Sequence, residues 1–424
     1  MINLCIAANG SFTWNLRLHW VMRLGCIALL FTGTFFLGQE CLQAQDQPGA
    51  YHETVLISVE GNAPIITLTF KTPDGSLRTA RFLFDSGGGA IILAEGLAED
   101  IGLKSKGAIL SDDGVQYQEV DLPTALLGDM SVNLQTSKAF VHLGAGSFIH
   151  HRIDVDGMLP GKALEHYQIV LDYPQHRLSV GEPGSLPHRG EKLPCPYIAS
   201  SGHPQVKAGI DGIEYGFLLD TGTQITLMRE DMLKQWAKQH TDWPHSIGSV
   251  GSANEGADPD DDFLLRIPQI QLGSFALNHV ATASRSNETY SATTHDTPSA
   301  IVGALGGNIL NQFRVEIDYP EQLCFFEHSG KEQTNNFDTV GLVLDANPSG
   351  KLVVRAVSST ASAVTRQNVQ PGDIILQISG SGDGPYTLLK AAQALSGTVG
   401  ERKHLRILRR GEPMTVTVVV SRIL

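Results

Sequence analysis

The chain has 424 residues, 42% hydrophobic and 18% charged, a globular composition long enough for two or three domains with their own cores. A net charge of −13 argues against a nucleic-acid partner. The 44 glycines favour turn-rich β structure over a helix bundle.

In chain order, Arg17, His19 and Arg23 precede an apolar stretch at 26–37. It is too short to span a bilayer comfortably and reads as a signal peptide with a cleavage point after Ala44. Residues 1–44 are thus expected to direct export to the periplasm or the extracellular space. Met22 would be a more conventional start, and an uncleaved membrane anchor is the alternative. No good lipobox precedes Cys26 or Cys41, because Glu40 stands where a small residue is wanted. Of the five cysteines, Cys195 and Cys324 fall clearly in the mature chain. They could pair in an oxidising compartment, but two isolated buried thiols are the expectation. There is no C-x-x-C and no zinc spacing, so neither metal nor cofactor is expected.

Residues 54–60 and 64–71 alternate like strands, and Pro73-Asp74-Gly75 signals a turn. The run Arg81-Phe82-Leu83-Phe84-Asp85-Ser86-Gly87-Gly88 is an apolar strand ending in a carboxylate on a Gly-rich turn. Residues 90–103 follow with a helical spacing in Leu93, Leu97 and Ile101. The plan then recurs. Residues 203–210 read as a strand, Asp211-Gly212 as a hairpin turn, and Phe217-Leu218-Leu219-Asp220-Thr221-Gly222-Thr223 as the strand into a second motif. Residues 227–236 are the matching helix.

The echo continues downstream. Asp156-Gly157-Met158-Leu159-Pro160-Gly161 is matched by Val302-Gly303-Ala304-Leu305-Gly306-Gly307, and Val170-Leu171-Asp172-Tyr173-Pro174 by Glu316-Ile317-Asp318-Tyr319-Pro320. Gly157 and Asp172 are as far apart as Gly303 and Asp318. Such an ordered series points to an internal duplication, with a period right for two domains and too long for a solenoid. Residues 184–191 and 331–338 read as linkers. From residue 336 on, ten Lys and Arg face six Asp and Glu, a change of sign that suggests a separate module. Its strands are expected at 340–344, 351–357, 374–378, 405–408 and 415–420, with a short helix at 388–395.

An apolar strand, Asp-(Ser/Thr)-Gly, and a later apolar-apolar-Gly segment together resemble the aspartic proteases. They are most similar to bacterial proteins with two retropepsin-like lobes in one chain. The tail, with Pro371-Gly372-Asp373-Ile374-Ile375 and Arg409-Arg410-Gly411, resembles a PDZ domain. The resemblance implies a mainly β, bilobal aspartic-protease (double-psi β-barrel-like) fold followed by a small α+β PDZ-like domain. The expected divisions are 45–190 for lobe one, 191–335 for lobe two and 336–424 for the PDZ-like domain. It also implies Asp85 and Asp220 as a catalytic pair. Ser86 and Thr221 would brace the two loops, Gly87 and Gly222 would let backbone N–H groups approach the carboxylates, and Thr223 would hydrogen-bond Asp220. Gly88 stands where pepsin-like lobes usually carry Ser or Thr, and Pro160 where lobe two has Gly306. A flap is expected over the cleft, at Ser246-Ile247-Gly248-Ser249-Val250-Gly251-Ser252 in lobe two, with Tyr117 a flap residue or an ordinary hairpin tyrosine in lobe one.

The chemistry asks for this pairing. Two carboxyls about 3 Å apart cannot both ionise and share one proton. The ionised one can take a proton from water while the other donates to a peptide carbonyl.

Other polar groups receive plainer readings. Asp172 and Asp318 are expected to cap strand-end turns. His150-His151 and the acidic group Glu255, Asp258, Asp260, Asp261 and Asp262 are expected to be surface loops, lacking metal-ligand spacing. The basic run at 402–410 is expected to be a solvated strand face, and Asn287-Glu288-Thr289 is a glycosylation sequon of no weight in a bacterial chain. The expected function is an aspartic endopeptidase acting on an extended polypeptide, with the PDZ-like domain holding a peptide C-terminus or partner. A monomer suffices, since both lobes lie in one chain. The alternative is an inactive peptide-binding scaffold of the same fold.

Overall fold

The computed structural model describes residues 51–112, 115–144, 148–150, 153–247, 263–287, 290, 300–331, 337–347, 350–382 and 386–424. The N-terminal segment read as a signal peptide lies outside them. So do the acidic group at 255–262, His151, residues 288–289 of the sequon and most of the expected lobe-two flap. No helix among the described residues is long and apolar enough to cross a membrane.

The protein is mainly β, with barrel-like sheets consistent with a bilobal aspartic-protease-like fold. Seven strands of the first half lie in the spatial order Ser105–Asp112, Val115–Val120, Ala139–His142, Ile91–Ala94, Gly157–Pro160, Leu77–Asp85 and Ala63–Lys71. The second half repeats it with His245–Ile247, Phe263–Leu272, Phe275–Arg285, Thr226–Arg229, Ile301–Leu305, Ile213–Leu219 and Gln205–Ile210. Directions match too. In each half the strand ending at the Asp motif runs parallel to the late Gly-containing strand. That strand is antiparallel to the one just after the motif, which in turn runs parallel to its far neighbour. The inner strands are buried along their whole length, as at Gly157–Pro160 and Ile301–Leu305. This is why they read as continuous apolar runs without alternation.

Two helix expectations are corrected. Ile91–Ala94 and Thr226–Arg229 are strands, and only then do the helices Glu95–Asp100 and Glu230–Gln239 begin. Leu93 and Leu227 fit a helical spacing, but each is held in a ladder between two strands, and pairing overrides local preference.

The repeat runs further than the motifs reveal. Leu122-Pro123-Thr124-Ala125-Leu126-Leu127-Gly128 corresponds to Ile267-Pro268-Gln269-Ile270-Gln271-Leu272-Gly273, and Thr69 pairs with Leu126 as Gly209 pairs with Gln271. Both Gly128 and Gly273 have φ near +60° (60° and 56°). The turn after each is held by a glutamate, Glu53 accepting from Asp129 N at 3.2 Å and Glu191 from Ser274 N at 2.9 Å.

A six-stranded antiparallel sheet joins the halves, in the order His52–Leu56, Arg177–Gly181, Gln168–Asp172, Phe313–Asp318, Leu323–His328, Glu191–Pro194. At its centre Val170 faces Glu316, its own counterpart in the duplication, so the pseudo-twofold axis passes between them. The expected free thiols are also corrected: Cys195 and Cys324 form a disulfide, with Cα atoms 5.3 Å apart, across the edge pair of this sheet. Sequence spacing could not reveal this, because the pairing depends on two strands meeting that lie 129 positions apart.

After residue 337 a five-stranded antiparallel sheet, Leu342–Ala346, Leu352–Val357, Ile374–Ile378, Arg402–Arg409 and Glu412–Val419, closes over its own apolar core. The short helix Leu388–Leu395 forms as expected; Ala363–Asn368 is a second one, capped by Ser362. Asp373 is buried and held by Arg409 through Nε at 2.7 Å and Nη2 at 2.6 Å. This module shares a second core with lobe two: Val343, Ala361 and Ile423 pack with Leu218, Ile225 and Leu227.

Candidate active site

Asp85 ends one fully buried strand run and Asp220 follows the equivalent one. The two strands deliver them to the same place. Both are almost completely buried, 4% and 3% exposed, and their carboxyls hydrogen-bond each other. The loops are crossed beneath them. The Ser86 hydroxyl accepts from Thr221 N at 3.0 Å and donates to Leu219 O at 2.6 Å. Thr221 Oγ1 accepts from Ser86 N at 3.0 Å and donates to Phe84 O at 2.7 Å. Each hydroxyl thus satisfies a backbone donor and a backbone acceptor of the opposite lobe, four bonds with no water needed.

The glycines are there for space. A Cβ on Gly87 would overlap the Asp220 carboxyl, and one on Gly222 would overlap that of Asp85. Gly87 N donates to Asp85 Oδ1 at 2.9 Å, and Gly222 N to Asp220 Oδ1 at 3.0 Å. Thr223 does bond Asp220, but through its backbone N–H at 3.2 Å; its hydroxyl donates to Ile225 O. At Gly88 a Cβ would lie 3.1 Å from Asp85 Oδ2 and 3.2 Å from Met158 Cε, so a side chain there would be tight where lobe two has a threonine.

Electrostatics acts on both acids. Burial pushes the Asp85 carboxyl well above the ordinary aspartate value, and the neighbouring Asp220 charge pushes it further; only Gly87 N–H among the loop groups opposes this. Burial also raises Asp220, but a hydrogen bond from Asp85, two backbone N–H groups and the Arg285 charge hold it down. Both carboxyls are raised and act on each other, so the pair shares a proton and titrates as a unit.

The remaining expectations fall as follows. Asp172 and Asp318 accept from Gln175 N at 3.0 Å and Glu321 N at 3.1 Å, as strand-end caps. Tyr117 lies within the strand Val115–Val120 of a hairpin, packed against His142. Of the expected lobe-two flap, Ser246 is described and buried, its hydroxyl 3.0 Å from that of Ser358 and 2.9 Å from that of Thr360. His188, Glu316 and Asp318 place their donor atoms within 4.8 Å of one another. Glu316 is already bonded to His188 Nδ1 and Gln168 Nε2, both at 2.6 Å, and pairs with Arg314. That set fits an ion-pair network better than a cation site. A cavity of about 1240 Å³ between Pro194, Val206, Trp243 and Pro268 includes neither aspartate.

Three residues near the pair escape a reading of motifs alone. Arg285 ends the strand Phe275–Arg285, far from Asp220 in sequence. Tyr173 and Tyr319 sit in the repeated Asp-Tyr-Pro, whose recurrence was the available signal.

No family model matches the chain, and no curated relative matches it. Among solved structures, the aspartic proteinase from Irpex lacteus is similar with a TM-score of 0.43 and 13% identity, over 66% of this chain and 98% of that one. A likeness at that level carries no argument about this site.

Proposed function

We propose that the protein is an aspartic endopeptidase. The observation that carries the reading is the pair of buried, mutually hydrogen-bonded carboxyls of Asp85 and Asp220, delivered by equivalent strands of a duplicated chain. Asp220, ionised, takes a proton from a water lying between the two acids. Asp85 donates its proton to the carbonyl oxygen of the scissile peptide as the water oxygen attacks the carbon. The substrate is an extended polypeptide laid across the cleft between the lobes, and one chain supplies the whole site, so the enzyme acts as a monomer. Export, with residues 1–44 as leader or anchor, fits the Cys195–Cys324 disulfide. The module at 336–424 is assigned a PDZ-like role in holding a peptide tail; Leu342–Ala346 is an edge strand of its sheet, the feature that strand addition needs.

The absence of a hydroxyl at Gly88 favours a second reading, an inactive peptide-binding scaffold. Purified protein incubated with unfolded polypeptide from acid to neutral pH separates the two. Turnover in the wild type that is lost in both Asp85→Asn and Asp220→Asn supports the protease. Peptide binding without turnover supports the scaffold.

A further inference from the structure

The Asp-Tyr-Pro sequence occurs once after each central strand, and the aspartates account for only part of it. Tyr173 and Tyr319 are 3% and 1% exposed, and neither hydroxyl has a hydrogen-bond partner among the described residues. A buried hydroxyl without a partner costs stability, so a pair at equivalent places in a duplication needs a cause.

Their positions supply one. Tyr319 belongs to lobe two but reaches under the lobe-one loop. A Cβ at Gly161 would overlap its hydroxyl, and that same point lies 3.2 Å from the Ser86 Cα. Gly161 leaves the passage open. The arrangement is crossed: among acids, Asp85 acts most strongly on Tyr319, and Asp220 acts on Tyr173. His203 joins Tyr319 on the lobe-one side. It is 8% exposed, both ring nitrogens are buried, and it precedes Pro204 as Ala63 precedes Pro64 in lobe one. The Gly88 carbonyl is the backbone group acting on its ring. The Tyr319 hydroxyl and the His203 ring thus both lie against residues 86–88. Buried water is characteristically held by about three such groups. The charged and titratable groups around this space are Asp85, Lys162, Glu165 and Tyr197.

We propose that Tyr319 and His203 are positioning residues for Asp85, holding ordered water beneath residues 86–88, with Tyr173 the mirrored support for Asp220. Burial brings the His203 imidazole down to about 4, so it is a neutral donor and acceptor at milder pH. The proposal rests on the dyad reading for its kinetic consequence, and on geometry alone for the coupling between Tyr319 and Asp85.

Tyr319→Phe removes the hydroxyl and leaves the ring, so the test uses this variant, Asp85→Asn and the double variant in the intact protein. Thermal unfolding is followed from pH 4 to 8, and kcat and KM on unfolded polypeptide are measured beside it. The expected result has two parts. The Tm difference between wild type and Tyr319→Phe changes with pH, and that change disappears in the Asp85→Asn background. In turnover, kcat falls roughly tenfold or more, the scale of one lost positioning bond, with KM little changed. His203→Ala behaves likewise and His203→Asn, which keeps a donor and an acceptor, recovers part of the loss. A Tm offset that is the same at every pH overturns the proposal, as does an unchanged kcat. A wild type without turnover would remove the protease reading, and the unfolding arm would still decide whether Tyr319 and Asp85 are coupled.

Discussion

Thr221 makes three of the bonds that tie the two loops together: its hydroxyl accepts from Ser86 N and donates to Phe84 O, and its own N–H donates to the Ser86 hydroxyl. Thr221→Val keeps the volume and orphans one buried donor and one buried acceptor of lobe one. Each orphan costs about 1–3 kcal/mol, so a Tm several degrees lower and a large loss of turnover are expected in unfolding and cleavage assays. The aspartates act in the opposite sense on stability. A carboxyl raised in the folded state, as Asp85 is, contributes stability that is complete below the unfolded value of about 3.9. That contribution is lost as pH rises through the folded value. Asp85→Asn cannot ionise, so its Tm should match or exceed wild type at neutral pH, with a gap that widens as pH rises. Melting curves at acid and neutral pH check this. At this scale the sequence was readable where a role depends on adjacent residues: Asp85, Ser86 and Gly87 lie in one unbroken motif, as do Asp220, Thr221 and Gly222. Tyr319 and His203 were not readable as neighbours of Asp85, because each arrives from the other lobe.

Elements were legible in kind and less so in extent. Apolar runs located the strands that carry the motifs, and Asp211-Gly212 set a two-residue turn, with φ of 50° and 76°, that pairs Ile210 with Ile213. The helices at 90–103 and 227–236 were begun too early, where buried strands complete the sheets, and the second runs on to Gln239. The central sheet carries a charge that no pattern announced. Glu316 is fully buried at the pseudo-twofold and is held by Gln168, His188 and Arg314. Glu316→Ala would leave Arg314 without its carboxylate and Gln168 with Leu186 O as its remaining acceptor. Breaking a buried pair from one side costs about 3–5 kcal/mol, so denaturant unfolding should show a clear fall in midpoint. Glu316→Gln, which retains an acceptor, should lose less.

For the whole molecule, duplication was legible because matching segments recur in order, although the segment from Leu122 to Gly128 and its counterpart from Ile267 to Gly273 share too few identities to stand out. The disulfide was not legible, since it depends on where the two ends of a lobe meet. Cys195 and Cys324 close a long loop around lobe two, and replacing both with alanine is expected to cost about 2–4 kcal/mol, read as a lower Tm of the unreduced protein. The C-terminal module packs against residues flanking the Asp220 loop. The most direct test of that centre is a carbon-13 NMR titration of aspartate carboxyls in wild type and Asp85→Asn. The account predicts one carboxyl that stays protonated well above the pH at which an unfolded aspartate ionises, whose signal is absent from the variant. Ionisation of every aspartate in the ordinary aspartate range would contradict it.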